Sequence, residues 1–358
     1  MKMKILITGA GGSASIGLTR CLKNYFPKAK IIGVESDLFN SALSETNSTY
    51  LIPRASDKDY IKVLNHIILK EKIDFLYPQT DSEISAIAKN IRKIQCKTLI
   101  PSFKIISTCQ NKYKLNKHLF AKGIPVPKTI LIKTSSDLKN ATKYKLFWLR
   151  NVTGAGAKGA FLAENFEQAI WWINFQNGWG HFTASEYMPE DNYGCDLLFA
   201  GGKLVFSQIK RRLEYVLSKA NIVGITGTTG ILETVSTKFD LNDISERAVT
   251  LLDNNISGAF SVDIKCDSLS KPYVTEINPG RFLSSSMHLF AETKFPAPAL
   301  VILVANDQKL PSFPKRNPIK GGTILIRQLD RKPATVNLKN HNRLRKKFER
   351  KHYVKLET

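Results

Sequence analysis

Apolar and polar positions along this chain follow two periods, one near 2 and one near 3.6, and the switches between them mark out its elements. The apolar run Ile5-Leu6-Ile7 ends at Thr8 and enters a glycine-rich turn, Gly9-Ala-Gly-Gly12, after which Ile16 to Tyr25 carries helical spacing. A second apolar run, Ile31 to Val34, stops at acidic Glu35, so the chain opens as strand, helix, strand. The pattern then predicts a helix over Tyr60 to Leu69, a strand over Ile73 to Tyr77 halted by Pro78, a helix over Ile84 to Ile94 and a strand at Thr98 to Ile100. Such alternation implies an α/β fold whose N-terminal part is a doubly wound, mostly parallel sheet.

Helical spacing returns from Lys112 to Lys122 and stops at Gly123, and Ile-Pro-Val-Pro127 then forces extended chain. Beyond it the pattern predicts a strand at Leu146 to Arg150 and a loop rich in glycine, Asn151-Val-Thr-Gly-Ala-Gly-Ala-Lys-Gly159. A returning strand at Phe161 to Ala163, a helix over Phe166 to Phe175 and a strand at Thr183 to Tyr187 complete a small α+β unit. Strands dominate afterwards, at Leu197 to Ala200, Lys203 to Gln208 and Ile231 to Val235. A helix from Ile244 to Asn254, opened by Asp243 with Glu246 as a capping box, precedes the strand pair Ala259 to Cys266 and Tyr273 to Ile277.

Length changes the picture first: 358 residues favour two or three lobes with a cleft between them. Apolar content of 43% beside 23% charged residues is that of a folded globular chain. The longest apolar stretch, Ala297 to Ala305, is too short for a membrane span, and no secretory leader is legible, so a cytoplasmic protein is expected. Five scattered cysteines without a CxxC pair suggest neither a zinc site nor a disulfide framework. The charge of +23 favours anionic ligands, and the last twenty residues concentrate it around Arg343, Arg345, Lys346, Lys347, Arg350 and Lys351. That stretch reads as a solvated tail or helix, with nucleic-acid contact as an alternative.

Two glycine-rich loops compete for a nucleotide, since both let backbone N–H groups approach phosphate. Gly9 to Gly17 with Glu35 imitates a dinucleotide fingerprint at irregular spacing, which keeps an NAD(P)-dependent oxidoreductase as a rival reading. Gly154 to Gly159, containing Gly156 and flanked by the cations Arg150 and Lys158, suits a triphosphate better. Chemistry concentrates in Phe260-Ser-Val-Asp263, followed by Glu276-Ile-Asn278-Pro-Gly-Arg281. Strand alternation puts Glu276 and Asn278 on one face, and Asp263 from a neighbouring strand can join them as hard oxygen ligands for Mg²⁺, with Mn²⁺ as the substitute. Tyr77-Pro-Gln-Thr-Asp81-Ser-Glu83 follows a strand and reads either as a substrate contact or as a helix N-terminus. Trp171 and Trp172 read as core and rim of the small unit.

Asp263 and Glu276-Ile-Asn278-Pro-Gly-Arg281 together resemble the metal-binding end of the ATP-grasp superfamily, in particular the carbamoyl-phosphate synthase large chain and biotin carboxylase. The resemblance extends to Lys112 eleven positions before Gly123, to Arg150 before the glycine loop, to the hinge Glu186-Tyr187-Met188, and to Asp196 ten residues later. It implies a pre-ATP-grasp domain over residues 1–110, a small lid lobe over 111–188, a large lobe with the metal site over 189–310 and a basic extension over 311–358. It further implies an enzyme that binds ATP at Lys112, Arg150, Gly154, Gly156, Lys158, Gly159, Glu186, Tyr187, Met188 and Asp196, and the metal at Asp263, Glu276 and Asn278. Arg281, with Arg211 or Arg212, would hold the acceptor carboxylate or the reaction's oxyanion. The implied reaction activates a carboxylate as an acyl phosphate and joins it to an amine, with small molecules as partners and a homodimer left open. The departures are a single ATP-grasp unit and an Asp where relatives often carry a longer ligand, so making carbamoyl phosphate alone is not expected.

Overall fold

The protein is described from a computed structural model over residues 3–154, 159–216, 227–327 and 338–356. The N-terminal domain runs β1 (Lys4–Thr8), α1 (Ser13–Tyr25), β2 (Lys30–Glu35), α2 (Leu38–Ser41), β3 (Ser48–Leu51), α3 (Tyr60–Glu71), β4 (Phe75–Tyr77) and α4 (Asp81–Lys89). Its strands β3, β2, β1 and β4 lie side by side and parallel. The apolar side chains of β1, β2 and β4 are buried on both faces, as a covered parallel sheet requires. β3 has little apolar signal; its Thr49 hydroxyl bonds that of Thr46 at 3.0 Å, and its Tyr50 hydroxyl donates to Glu71. The strand expected at Thr98 to Ile100 reduces to one parallel bridge between Phe75 and Lys97, because Pro101 stops it and the next helix begins at once.

Two helices, α5 (Phe103–Gln110) and α6 (Lys112–Ala121), lead into the small lobe. There β5 (Thr129–Ile132), α7 (Ser135–Ala141), β6 (Phe147–Asn151), β7 (Phe161–Ala163), α8 (Phe166–Phe175) and β8 (Phe182–Glu186) form an antiparallel sheet in the order β5-β8-β6-β7, with both helices packed on it. The large lobe follows with β9 (Asn192–Ala200), β10 (Lys203–Tyr215), β11 (Thr229–Val235), α9 (Phe239–Thr250), β12 (Gly258–Cys266), β13 (Pro272–Pro279), α10 (Ser284–Thr293), α11 (Ala297–Ala305) and β14 (Ile324–Ile326). Its six strands run β13-β12-β9-β10-β11-β14, all antiparallel.

Both faces of this sheet are buried. Cys195, Leu197, Phe260 and Val262 pack with Leu115, Leu119 and Ala248 from α6 and α9. Leu198, Phe206 and Leu232 pack on the other side with Phe290 and Leu300 of α10 and α11, in a core continuous with Ile5 and Leu18 of the N-terminal domain. The helix expected from Ile244 starts five residues earlier, at Phe239. Asp243 and Glu246 lie inside it and bind Arg316 at 2.7 and 2.6 Å, so they are not a cap. The chain ends with α12 (Leu338–Lys351) and β15 (Val354–Leu356), and β15 returns to pair antiparallel with β3. Among the described residues no single helix is long and apolar enough to cross a membrane. The bent pair α10 and α11 passes that test only by length and composition, and its apolar residues are core.

Candidate functional site

The large-lobe sheet places Asp263 and Glu276 directly opposite each other on β12 and β13, with Asn278 two residues further along the same face. Two carboxylates in that relation repel unless cations intervene. Four cations do. Arg212 of β10 reaches Asp263 at 2.5 Å, while Lys112 and Arg150 approach Glu276 at 3.6 and 3.7 Å from α6 and β6. Arg281 bonds Asn278 Oδ1 at 3.4 Å, the carbonyl of Gln79 at 3.4 Å and Asp81 at 2.8 Å. Lys112 sits at the first turn of α6, fixed by the Asn111 cap on Lys114 N, and its ammonium also donates to the carbonyl of Gly154 at 2.5 Å. Burial lowers the Arg150 guanidinium from its usual range, and Glu276 and Asp263 oppose that shift. Its Nε is buried without a hydrogen-bond partner among the described residues, while Nη2 donates to the carbonyl of Thr275 at 2.9 Å.

Several residues singled out in the sequence meet here: Lys112, Arg150, Gly154, Arg212, Asp263, Glu276, Asn278 and Arg281 line one cavity of about 320 Å³. A smaller cavity of about 100 Å³ adjoins it, bounded by Trp148, Glu186, Tyr187, Met188 and Lys265. Gly154 and Gly159 take φ of +107° and +75°, which side chains rarely adopt, so this loop needs glycine there. Gly156 and Lys158 lie outside the described residues. Glu186 accepts from Lys128 N at 2.8 Å, which ties the hinge to the entry strand β5.

The geometry separates others from the cavity. Arg211 alternates with Arg212 on β10, faces the opposite way and pairs with Asp191 at 3.0 Å, half exposed. Asp196 is fully buried, where Lys210, Ser261 and Ser286 enclose its carboxylate. It therefore braces β9, β10, β12 and α10, and is not positioned to touch a nucleotide. Among the described residues no group of three His, Cys, Asp or Glu gathers; the metal candidates are two carboxylates and one amide oxygen. That hard-oxygen set suits Mg²⁺ when phosphate and water oxygens complete the shell.

The glycine turn of the N-terminal domain is closed by packing. A Cβ on Gly11 would lie 1.8 Å from the carbonyl of Asn40, and one on Gly17 would lie 2.9 Å from Met287 Cβ. Glu35, the residue that would read a ribose in a dinucleotide site, accepts from the N–H groups of Gly11, Ser36 and Asp37 at 2.8 to 3.2 Å. Asp81 to Glu83 prove to be a helix start: Thr80 caps α4 in a capping box with Glu83. Trp171 is 59% exposed and stacks on Phe175, while Trp172 packs on Phe161 and donates to the carbonyl of Gly159.

The sequence reading missed Lys265 and Trp148. Lys265 lies two residues beyond Asp263 on the same face, which period-2 alternation alone places in the cleft. Its ammonium stands 5.9 Å from the Trp148 ring and 5.7 Å from the Tyr187 ring, and burial, with Arg212 and Arg150 nearby, lowers its pKa to about 8.

Comparison with known proteins supplies the context. Residues 5–100 match a PylC-like N-terminal domain and residues 109–285 match an ATP-grasp domain. No curated protein matches the sequence. Among solved structures, the biotin carboxylase domain of the Hydrogenobacter thermophilus 2-oxoglutarate carboxylase, solved with MgADP and bicarbonate, aligns at a TM-score of 0.70 and 13% identity, covering 90% of this chain and 74% of that one. An L-amino acid ligase from Bacillus licheniformis aligns at 0.68 and 15% identity, over 85% of this chain and 74% of that one. The ADP complex of N5-carboxyaminoimidazole synthetase from Staphylococcus aureus aligns at 0.64 and 19% identity, over 87% and 80%. At these identities the structural likeness speaks for the fold. The two domain matches and the fold agree with the cluster at Glu276: the chain belongs to the ATP-grasp superfamily and is an enzyme of the kind that uses ATP and Mg²⁺.

Proposed function

We propose that this enzyme activates a carboxylate with ATP as an acyl phosphate and couples it to an amine, releasing ADP and phosphate. The observation that carries the reading is the meeting at Glu276 of cations from two different elements, Lys112 of α6 and Arg150 of β6, opposite Asp263 on the wall of a cavity. A carboxylate attacking the γ-phosphorus opposes anion to anion, so the site must neutralise the triphosphate before bond formation. Lys112 and Arg150, which approach Glu276 on the cavity wall, would do so, and Gly154, on the same wall, would let its backbone come close to the phosphates. Asp263, Glu276 and Asn278 would hold Mg²⁺, which when bound supplies Lewis-acid charge at the phosphate oxygens.

In the adjoining cavity the N–H groups of Glu186 and Tyr187 already donate to the carbonyls of Lys128 and Leu146. Met188 offers the next backbone groups to a base, and Trp148 its face. Once the acyl phosphate has formed, the amine attacks its carbonyl carbon, phosphate leaves, and Arg212 or Arg281 balances the charge that builds on oxygen. Enclosure by the small lobe keeps water from the intermediate. The glycine turn at Gly9 to Gly17 takes no dinucleotide in this reading, since Glu35 is spent on its own backbone.

Hydroxylamine tests the reading, because it captures an acyl phosphate as a stable hydroxamate. A panel of amino acids and small carboxylates with MgATP should give ADP and one hydroxamate in equal amounts. AMP and pyrophosphate as products, or NADH-dependent turnover without any response to ATP, would overturn it.

A further inference from the structure

The N-terminal sheet has two unlike faces. Ile5 and Ile7 of β1 join the core shared with α10 and α11, while Leu6 joins a separate core closed by α3. α3 therefore covers the face turned away from the large lobe. Its outer side carries Lys62, His66, Leu69 and Lys70, all exposed and three or four residues apart. Glu71, the acid beside them, is buried and taken by Tyr50 and Lys30.

Both edges of this helix face are extended. On one edge Asn65 Nδ2 donates to the carbonyl of Lys93 at 2.7 Å, which lays the turn Ile91–Lys93 alongside with Ile91, Arg92 and Lys93 exposed. On the other, His66 Nε2 lies 3.1 Å from the Tyr353 hydroxyl and Lys70 stands 5.6 Å from the Tyr353 ring, where α12 runs into β15. α12 brings the densest charge. Glu349 is its one acid, paired with Arg345 at 3.2 Å. Arg343, Lys346, Lys347 and Arg350 recur at i, i+3, i+4 and i+7, so they share one side of the helix, and the half-buried Leu344 and Phe348 lie on another. Like charges so spaced repel, and a tail that serves only solubility needs no fixed seat. This one has a seat, because Val354 is buried and β15 pairs with β3.

Two observations choose the partner. A field of one dominant sign attracts a polyanion or an anionic surface. Leu69 and Ile91, 58% and 45% exposed, stand within that field as aliphatic side chains. Nucleic acid is held by hydrogen bonds to phosphate and by aromatic rings stacked on bases, and gains little from aliphatic groups, whereas a bilayer takes them up at headgroup level. We propose that this face seats the protein on an anionic membrane surface, with α12 and α3 supplying the attraction and Leu69 and Ile91 entering the headgroup layer. The seat lies across the N-terminal sheet from the large lobe, so docking leaves the cavity at Glu276 open to small substrates. The proposal stands apart from the ligase reading and needs no particular reaction.

The test is sedimentation of the full chain with vesicles of phosphatidylcholine alone and of equal parts phosphatidylcholine and phosphatidylglycerol, beside titration with a labelled duplex oligonucleotide at the same salt. The anionic vesicles should bind the protein about tenfold or more tightly than the neutral ones, and added salt should release it. Lys346→Glu and Lys347→Glu combined should weaken that binding about tenfold or more, and Leu69→Ser several-fold. Melting and binding of a non-hydrolysable ATP analogue should stay unchanged, since these side chains are exposed and none lines the cavity at Glu276. Absent or equal binding to the two vesicle types, or anionic binding indifferent to the double reversal, overturns the proposal. An oligonucleotide bound more tightly than the anionic vesicles makes nucleic acid the partner and overturns it as well. Should the double variant fail to fold, the vesicle comparison on the natural protein and Leu69→Ser decides alone.

Discussion

Glu83 shows what a single buried group does to this fold. Its carboxylate is enclosed at the start of α4 and accepts from Thr8 Oγ1 at 2.7 Å and Thr80 Oγ1 at 2.6 Å. Burial dominates those bonds and raises its pKa from 4.5 to about 7. A carboxyl whose folded pKa is raised binds more protons folded than unfolded, so stability falls as pH rises from about 4.5 to about 7. Glu83→Gln keeps an acceptor for both hydroxyls and cannot ionise. Its stability relative to the natural protein should therefore grow across that window, by up to about 3 kcal/mol at one unit per 1.36 kcal/mol. Denaturant melts at several pH values check this, and parallel curves for the two proteins would contradict it.

At the scale of elements, the contact between α1 and α10 is a close joint beside the site. Gly17 meets the backbone of Met287 and His288, where an added Cβ would lie 2.9 to 3.0 Å from atoms that cannot yield. Gly17→Ala should gain a little helix propensity and lose more by forcing the helices apart, a net destabilisation of about 1–2 kcal/mol. A thermal melt equal to or above that of the natural protein would show that the joint gives freely.

The sequence made this region legible only in part. The strands β1, β2, β6, β7, β12 and β13 and the helices α3, α6 and α8 stand out because apolar period and turn residues agree. α10 carries three serines at its start and is buried nearly all round, so it has no amphipathic stripe to read. β3 and the closing strands β14 and β15 are short, and their pairing comes from chain segments far away in sequence. The site followed the same division. Same-face spacing reached Glu276 and Asn278, and strand alternation separates Arg212 from Arg211, but the burial of Asp196 against Lys210 depends on register between strands, which no local pattern encodes.

Across the whole molecule, residues from the linking helix, the small lobe, the large lobe and the N-terminal domain all converge on Glu276 and its neighbours. The chain end reinforces this arrangement: β14 closes the large-lobe sheet, and β15 adds an edge strand to the N-terminal one, where Val354 is buried and Lys355 reaches Glu71 at 3.5 Å. Without nucleotide, Glu276 is balanced by Lys112 and Arg150, so Glu276→Gln removes a counter-charge of the buried Arg150 and does not simply relieve repulsion from Asp263. Because the carboxylate is partly exposed and its cations stand beyond hydrogen-bond distance, that loss should be modest, about 1 kcal/mol.

The effect on turnover should be of a different order, since in the proposed reaction Glu276 would hold the metal as well as the two cations and so act on the transition state for phosphoryl transfer. The most direct test of the account is ADP release from MgATP, measured for the natural protein and Glu276→Gln beside their melting curves. The account predicts a fall of about 10²-fold or more in ADP formation, with a cooperative melt shifted by only a few degrees. A variant that turns over ATP at the natural rate, or one that is inactive because it does not fold, would contradict the assignment of Glu276 to the centre of the site.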